Sequence, residues 1–311
     1  MAMMKVGILH SGSQTNHGPH IAALLGAISD AGYIDGDNVN VLDPLWSEDD
    51  PTQLTANAKK LAVTNPVDII VAAGGTAAAI AAKTQTTSIP IVFTTVTDPI
   101  SSGLVTSLDQ PGGNLTGTAG LTSELNPKRL ELLKEFLPGL AQGSKIGVLH
   151  NGSRLKGPDQ LTDLTNAATA LGLNLDPQSA TTPGNIDSAV AAFGNDIKAI
   201  LVAADPMFNN QRKRVIKAVK TRNPQIPAIY QWREFAEGGG LMSYGPSIIS
   251  AYQQAGGYVA EILDGAKPKD MPVLFPDVFE LVINVKTAHK MKFKIPVSML
   301  TRAVLLQGKR K

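Results

Sequence analysis

The apolar positions of the chain fall in short runs that alternate with longer amphipathic stretches. Each run is rich in Val, Ile and Ala and is bounded by Gly, Pro or Asp, as in DIIVAA at 68–73 and PIVFTTV at 90–96. Near-continuous apolar runs of this length are typical of strands that are buried on both faces. Helical patterns occupy the stretches between them, including 20–32, 51–64 and 128–140. The alternation predicts an α/β fold with parallel sheets and right-handed crossovers.

This pattern occurs twice. Residues 5–13 read KVGILHSGS and residues 145–153 read KIGVLHNGS, with six of nine positions identical. The similarity continues in order, since VDIIVAAGG is matched by IKAILVAADP and IPIVFTTVTDP by IPAIYQWREF. Internal self-similarity of this kind indicates a duplicated architecture. Two similar α/β halves leave a cleft between them, which is a preferred place for a small molecule.

The order of the segments argues against two simple tandem domains. Glycine-rich passages at 117–127 and 238–247 lie between the halves, which suits crossing strands. The helical stretch 247–265 has no strand partner in the second half, and 279–288 is a third candidate for a crossing strand. We therefore predict two Rossmann-like lobes joined by three crossover strands. The first lobe comprises 1–118 plus 247–277, and the second comprises 119–246 plus 278–311.

Composition excludes several classes of function. The 311 residues are 43% hydrophobic and 17% charged, with a net charge of +2 and scattered Lys and Arg, so no basic stripe for nucleic acid is present. The absence of Cys excludes disulfides and thiolate sites. No stretch has the roughly 18 apolar residues of a membrane span. The first strand begins at about Lys5, which leaves no room for a signal peptide, so the protein is either cytosolic or lacks its export leader here.

Sequence patterns of enzymes are missing as well. The chain has no G-x-S-x-G elbow, no Walker A sequence and no G-x-G-x-x-G after the first strand. His10 and His150 occupy equivalent repeat positions, which favours a structural role at both strand ends. His17 and His20 are three residues apart without a third ligand nearby and are expected to be incidental surface histidines. We predict a protein that is not an enzyme and that carries no metal and no cofactor.

Several segments resemble one family of binding proteins. GYIDGDNV at 32–39, DPISSGLVTSLDQPGGNLTG at 98–117, KRLELLKEFLPG at 128–139 and EFAEGGGLMSYGPS at 234–247 carry the resemblance, which covers nearly the whole chain. They are similar to substrate-binding proteins of ABC importers, a family that includes tryptophan- and tyrosine-binding members. The resemblance implies a type I periplasmic binding protein fold, in which a ligand is enclosed when the two lobes close about a hinge.

The same resemblance implies the partners and the location. We expect a monomer that binds an amino acid or an aromatic acid and presents it to the transmembrane subunits of an ABC permease, with no nucleic-acid partner. It implies a periplasmic or membrane-anchored extracellular protein whose export leader is absent from this chain. A sensing domain of the same bilobed fold is the alternative, and an enzyme on this scaffold is a more remote one.

Candidate ligand residues follow from the rule that open α/β sheets bind ligands outside the carboxyl ends of their strands. In the first lobe this rule selects Ser11, Ser13, Gln14, Gly75, Thr76 and Thr97. The GGT at 74–76 precedes a helix whose N–H groups and dipole favour a carboxylate, although Thr76 could instead be an ordinary N-cap. Asp98 followed by Pro99 is expected only to cap a helix. Trp46 is expected to be structural.

In the second lobe the candidates are Asn151, Asp205, Trp232 and Tyr244. Asp205 stands where the first lobe has Gly74, and a carboxylate in a cleft needs a cation or several donors. A ligand ammonium would supply both, although a cap of the following helix is the alternative. By resemblance to amino-acid-binding members of the fold, Asp205 would face the amino group. Trp232 could form a flat wall for an apolar side chain or pack against the hinge.

Overall fold

The computed structural model describes residues 3–120, 125–152 and 159–307. Its strands are β1 (Met4–His10), β2 (Val39–Val41), β3 (Leu45–Trp46), β4 (Ile69–Ala73), β5 (Ile91–Val96), β6 (Leu115–Ala119), β7 (Ser144–His150), β8 (Leu173–Ser179), β9 (Ile197–Val202), β10 (Ala228–Tyr230), β11 (Met242–Pro246), β12 (Phe279–Asn284) and β13 (Ala303–Leu306).

The α-helices are α1 (Gln14–Asp30), α2 (Pro51–Lys59), α3 (Thr76–Lys83), α4 (Asn126–Phe136), α5 (Asp159–Ala170), α6 (Ile186–Ala192), α7 (Pro206–Asn210), α8 (Arg212–Lys220), α9 (Arg233–Glu237), α10 (Ile248–Leu263), α11 (Val285–Lys290) and α12 (Val297–Leu300). A π-helical turn, Lys60–Thr64, extends α2, and 3₁₀ turns lie at Pro183–Asn185 and Pro268–Asp270. Within the described residues, no helix combines the length and apolar character needed to cross a membrane.

The chain divides into two compact units. Unit 1 comprises Met1–Leu121 and Pro246–Val278, and unit 2 comprises Thr122–Gly245 and Phe279–Lys311. The chain therefore passes from one unit to the other three times. The first passage includes residues 121–124, which lie outside the described residues, so the predicted crossing at 117–127 is described only in part.

Unit 1 contains a parallel sheet with the strand order β2-β1-β4-β5-β6, and β3 extends the pairing of β1 beyond β2. Successive side chains of β1 alternate between its faces. Leu9 packs in the core beneath α2 and α3, whereas Val6 and Ile8 pack beneath α1 and α10. Helix α10 follows the second passage and packs along α1, with Gly256 so close that a Cβ there would lie 2.5 Å from the Leu24 carbonyl oxygen.

Unit 2 contains a second sheet with the order β13-β12-β11-β10-β9-β7-β8. Its core also has two faces. Ile146 and Leu201 pack with α4 and α5, while Leu149 and Ile200 pack with α6 and α8. A sheet covered by helices on both faces explains why its strands read as continuous apolar runs in the sequence.

Two elements differ from the sequence expectation for identifiable reasons. Helix α1 begins at Gln14 rather than near residue 20 and includes Gly18 and Pro19, because its packing along α10 outweighs the low helix propensity of those residues. Strand β8 contains Pro177, which does not suggest a strand. It lies at the edge of the sheet, where proline is tolerated because no neighbouring strand needs its missing N–H.

Candidate functional site

The predicted residues of unit 1 lie at one edge of its sheet. Strands β1, β4 and β5 are neighbours, and their carboxyl ends lead into Ser11, Gly75 and Thr97. The Ser11 Oγ donates a hydrogen bond to the Gly74 carbonyl oxygen at 2.9 Å, and the Ser11 N–H donates to the Ala73 carbonyl at 3.2 Å. The loops after β1 and β4 are thus tied together. We call this region the unit 1 edge.

Among the described residues, most non-glycine residues in left-handed backbone conformations lie at the unit 1 edge. Gly74 and Gly75 have φ of 91° and 96°, and Glu48, Asp49 and Thr95 have φ of 50°, 61° and 53°. Of the non-glycine residues with positive φ in the described chain, only Lys292 lies elsewhere. A β-branched residue such as Thr95 is a genuine outlier in this region of φ. Strain of this kind persists where the surroundings hold it, and it clusters at functional sites.

The glycines make close approaches that a side chain would block. A Cβ at Gly74 would overlap Ser11 Oγ and lie 3.0 Å from Cε1 of His10. Gly75, rather than Thr76, is the N-cap residue of α3, so the alternative in which Thr76 caps this helix is wrong. Gly75 takes the N-cap position because the backbone there has a positive φ, which glycine adopts without penalty.

Helices α1 and α3 both begin at the unit 1 edge, and neither has an acidic residue in its first turn. Ser13 is the N-cap residue of α1 but makes no side-chain capping bond, and Gln14, which follows it, is exposed. Thr76 is half-buried and Thr97 is exposed. Unsatisfied N–H groups and the positive end of the helix dipole make such helix ends suitable for an anion.

Asp98 does not begin a helix, contrary to expectation. Its carboxylate accepts the Ser101 N–H at 2.9 Å, and the residues after it form turns. Hydrogen bonds from Ser101 lower the pKa of Asp98. Asp98 therefore stabilises the turn that follows it, by accepting a backbone N–H in the way that an N-cap residue does at a helix.

His17 and His20 are not incidental surface residues. His20 is buried, His17 is half-buried, and their Nδ1 atoms lie 3.3 Å apart. Both rings contact a cluster that also contains His10, Trp46 and Tyr252. The i,i+3 spacing on α1, together with an apolar sheet face beneath it, was the sequence signal for this packing. Among the described residues, no group of three or more His, Asp or Glu could hold a metal ion.

His10 is held in its neutral form with a defined tautomer. Its Nδ1 accepts the Gly12 N–H at 2.9 Å, so the proton is on Nε2, which lies 3.1 Å from the Tyr252 hydroxyl. Burial is the main cause that lowers the pKa of His10 to about 2, and His17 and His20 lower it further. His10 therefore acts as a fixed hydrogen-bonding support for the loop at Gly12.

In unit 2, three polar side chains meet at the carboxyl ends of β7, β9 and β10, which are also neighbours. We call this region the unit 2 edge. Asp205 is buried and is the N-cap residue of α7, where its Oδ1 accepts the Met207 N–H at 2.8 Å. Its Oδ2 accepts from Nδ2 of buried Asn151 at 3.2 Å. Asp205 therefore does cap α7, as the alternative in the sequence analysis proposed. The Met207 N–H and Asn151 Nδ2 orient its carboxylate.

Gln231 is a residue that the sequence reasoning missed. It follows β10 directly, is fully buried, and donates from Nε2 to the Asp205 carbonyl oxygen at 3.2 Å. Its Oε1 is buried without a hydrogen-bond partner among the described residues. The signal available in the sequence was its position, one residue past a buried strand.

The two aromatic candidates of unit 2 differ in placement. Trp232 is the N-cap residue of α9, is half-buried, and packs against the core beneath α6 and α8. Tyr244 lies inside β11 rather than after it and stacks on Phe279 with ring centroids 6.4 Å apart. Because Tyr230 pairs with Ser243, Tyr244 is level with Gln231 in the sheet, on the strand next to β10.

Two α/β units with polar groups gathered at the carboxyl ends of their strands define a ligand-binding protein of the bilobed α/β class. The family model described as ABC transporter substrate binding protein matches residues 13–306. The chain belongs to this family of binding proteins and is not an enzyme.

Individual relatives agree with this assignment. The chain is 31% identical over 261 residues to a tyrosine-binding protein of Clostridioides difficile (strain R20291), covering 84% of this chain and 73% of the relative.

Two solved structures are similar over nearly the whole chain. One is an ABC domain from Streptococcus pneumoniae in complex with L-Trp, which is 27% identical with a TM-score of 0.82, and 98% of this chain and 100% of that chain are covered. The other is a ligand-free, open substrate-binding protein with adhesive properties from Clostridium difficile, which is 26% identical with a TM-score of 0.76 and coverage of 99% and 100%. The predicted fold class, that of type I periplasmic binding proteins, is confirmed.

Proposed function

We propose that this protein captures a free amino acid, with an aromatic side chain preferred, and presents it to the permease of an ABC importer. The ligand is held by groups from both units, and closure about a hinge brings them onto it. The protein acts outside the cytoplasmic membrane as a monomer. The observation that carries the proposal is the pair of helix N-termini at the unit 1 edge, α1 and α3, set against the buried carboxylate of Asp205 at the unit 2 edge.

The unit 1 edge suits the carboxylate of an amino acid. Two helix N-termini without acidic first turns offer N–H groups there. The hydroxyls of Ser13, Thr76 and Thr97 lie at the starts of these helices and after β5, and we assign them to the carboxylate together with Gln14 and Gly75. Ser11 instead supports the loop, because its Oγ and its N–H already donate to the Gly74 and Ala73 carbonyl oxygens. None of these groups carries a charge, so the helix dipoles supply the attraction.

The unit 2 edge suits the ammonium group. Asp205 provides a buried carboxylate whose position is fixed by Asn151 and by the Met207 N–H. The Gln231 Oε1 adds a second buried acceptor beside it. A ligand ammonium compensates the cost of burying a carboxylate and can donate to both acceptors. Trp232 and Tyr244 complete the proposed contacts with the ligand.

The relatives support the ligand class. One is named for tyrosine binding and another was solved with L-Trp bound. A ligand that contacts both units favours the closed state, because only there does it make both sets of contacts. Delivery to a permease follows from the family's role in ABC transport.

The charge of Asp205 is the feature to test, with Asp205→Asn as the variant. Asn caps helices as well as Asp does, so α7 and the fold are retained while the charge is removed. We expect the Kd for L-tyrosine to rise between about 10-fold and 100-fold, since a charge-assisted hydrogen bond contributes about 1.5–3 kcal/mol. Isothermal titration calorimetry measures the Kd, and thermal unfolding should be almost unchanged.

Asp196→Asn is the matched control. Asp196 also belongs to unit 2, but it pairs with Lys145 before β9, at the opposite end of the sheet, so this variant should bind as the unaltered protein does. If Asp205→Asn binds L-tyrosine as tightly as Asp196→Asn, Asp205 does not face an ammonium group. If the unaltered protein binds no aromatic amino acid at all, the proposed ligand class is wrong.

A further inference from the structure

A cluster of aromatic and imidazole rings lies beneath the unit 1 edge and takes no part in the proposed site so far. Its centre is His10, whose ring centroid lies 4.7 Å from that of Trp46, 4.6 Å from that of His17 and 6.5 Å from that of Tyr252. His10 and Tyr252 are fully buried, whereas Trp46 is half-buried. The indole therefore packs against the His10 ring, to which it is tilted by 39°, while the Trp46 side chain stays partly exposed.

The position of Trp46 is fixed relative to the loop that carries Ser11. Trp46 ends β3, where it pairs in parallel register with His10. The next three residues donate backbone hydrogen bonds to that loop, from Ser47 to the His10 carbonyl at 3.0 Å, from Glu48 to Gly12 at 3.2 Å and from Asp49 to Ser11 at 2.8 Å. The left-handed conformations of Glu48 and Asp49 allow these N–H groups to turn toward the loop.

The ring beneath the indole is equally constrained. His10 is bonded through Nδ1 to the Gly12 N–H and through Nε2 to the Tyr252 hydroxyl. A rotated imidazole could make neither bond, so the ring against which Trp46 packs is held in one orientation. A flat, rigid, half-exposed indole beside the loop of Ser11 is suited to pack against another flat ring.

We propose that Trp46 is a specificity-determining residue of unit 1, on which the planar side chain of an aromatic amino acid packs. This inference rests on the proposed function and adds to it the surface that selects the side chain. The N-termini of α1 and α3 hold the carboxylate, and Trp46 contacts the ring that extends from the same amino acid. Aromatic packing then distinguishes tyrosine from aliphatic amino acids.

Fluorescence gives a direct test, because the sequence contains only two Trp residues. Trp232→Phe leaves Trp46 as the sole Trp, and Trp46→Phe leaves only Trp232. L-tyrosine is the probe, with excitation beyond the absorption of tyrosine and with calorimetry on the same samples to establish occupancy. We expect the emission of Trp46 to change in intensity and wavelength when L-tyrosine binds to the Trp232→Phe variant.

Affinity gives the second measurement. Trp46→Leu keeps an apolar side chain but removes the flat ring, and we expect the Kd for L-tyrosine to rise about tenfold. Trp46→Phe restores a smaller ring and should stay within about threefold of the unaltered protein. Thermal unfolding of both variants shows whether they are folded. If Trp46→Leu does not fold, the emission of Trp46 in the Trp232→Phe variant still decides.

The outcomes separate this inference from the proposed function. If L-tyrosine binds to the Trp232→Phe variant by calorimetry while Trp46 emission stays constant, and Trp46→Leu binds as tightly as Trp46→Phe, Trp46 does not contact the ligand and only this inference is overturned. If the unaltered protein gives no heat with L-tyrosine or L-tryptophan, the proposed ligand class is wrong and this inference is wrong with it.

Discussion

The two units have similar sequences, but different kinds of groups lie at the carboxyl ends of their strands. At the unit 1 edge the groups are mainly those of the backbone, with Gly74, Gly75 and Thr95 held in left-handed conformations. At the unit 2 edge they are side chains, since Asn151, Asp205 and Gln231 hydrogen-bond to one another's side chains or backbone. Among the described residues, no non-glycine residue with positive φ follows β7, β9 or β10.

The repeated histidine shows how far the halves have diverged. His10 is fully buried and uses both ring nitrogens, whereas His150 is half-buried and its Nδ1 has no hydrogen-bond partner among the described residues. Burial lowers the pKa of both. One duplicated sequence thus supports an edge with two helix N-termini in unit 1 and an edge with a buried carboxylate in unit 2. The proposed amino-acid ligand, which carries two opposite charges, rests on that difference.

The largest expected effect comes from filling the close approach at Gly74. In Gly74→Ala, the new Cβ overlaps Ser11 Oγ and meets the His10 ring, and φ of 91° is unfavourable for Ala. We expect the free energy of unfolding to fall by about 2–4 kcal/mol, from the backbone strain and the overpacking together. Chemical denaturation measures the loss, and calorimetry should show no binding of L-tyrosine.

Gly26→Ala is the control for this substitution. Gly26 lies inside α1 with nothing within 4 Å of its Cβ position, so Ala should stabilise the protein by about 1 kcal/mol. Equal stability of the two variants would mean that the loops after β1 and β4 yield easily, and that the unit 1 edge is not rigid.

The buried His10 should make stability depend on pH. Its pKa in the folded protein, about 2, lies below the ordinary histidine value of 6.5, so between these pH values the unfolded chain binds a proton that the folded protein does not. The stabilisation from keeping His10 neutral is fully present above pH 6.5. As the pH falls from 6.5 toward 2, the free energy of unfolding decreases by about 1.4 kcal/mol per pH unit for this one group. His150, whose pKa is also lowered by burial, adds a smaller loss in the same direction.

Denaturant unfolding at a series of pH values measures this slope, with His10→Gln as the reference that lacks the titrating group. We expect the slope between pH 6 and pH 4 to be smaller in the variant. The imidazole proton resonances of the unaltered protein should also show one histidine that does not titrate from pH 7 to pH 4. If all five histidines titrate near 6.5, His10 is not the fixed support inferred from its two hydrogen bonds.

The sheets and their helices could be predicted because the signal lies in local composition. DIIVAA and PIVFTTV became β4 and β5, and the helical stretch after residue 247 became α10 in unit 1. Strand β3 and the true start of α1 could not be predicted in this way. Both depend on packing against elements distant in sequence, and local propensity is weak against that.

The rule for strand ends selected residues that do lie at the carboxyl edges of the two sheets, such as Asn151, Asp205 and Thr76, and their contact with a ligand stays a prediction. It could not show that Gly75 takes the cap of α3, that Gln231 is buried beside Asp205, or that His10, His17 and Trp46 form one cluster. These facts depend on φ angles and on contacts between loops, which no periodicity in the sequence encodes.

The smallest expected effect concerns Thr95, the β-branched residue with φ of 53°. It lies where the pairing of β5 with β6 shifts, and its N–H donates to Thr118 Oγ1 at 3.1 Å. Asn adopts left-handed conformations more readily than Thr, so Thr95→Asn should raise the free energy of unfolding by about 1 kcal/mol. Thr95→Val, which keeps the branched shape, should give no such gain. Thermal and chemical denaturation of the pair measure the difference.

Equal stability of the two variants would show that the left-handed conformation of residue 95 costs little free energy of unfolding. The contrast between a strained unit 1 edge and a relaxed unit 2 edge would then depend on the glycines alone.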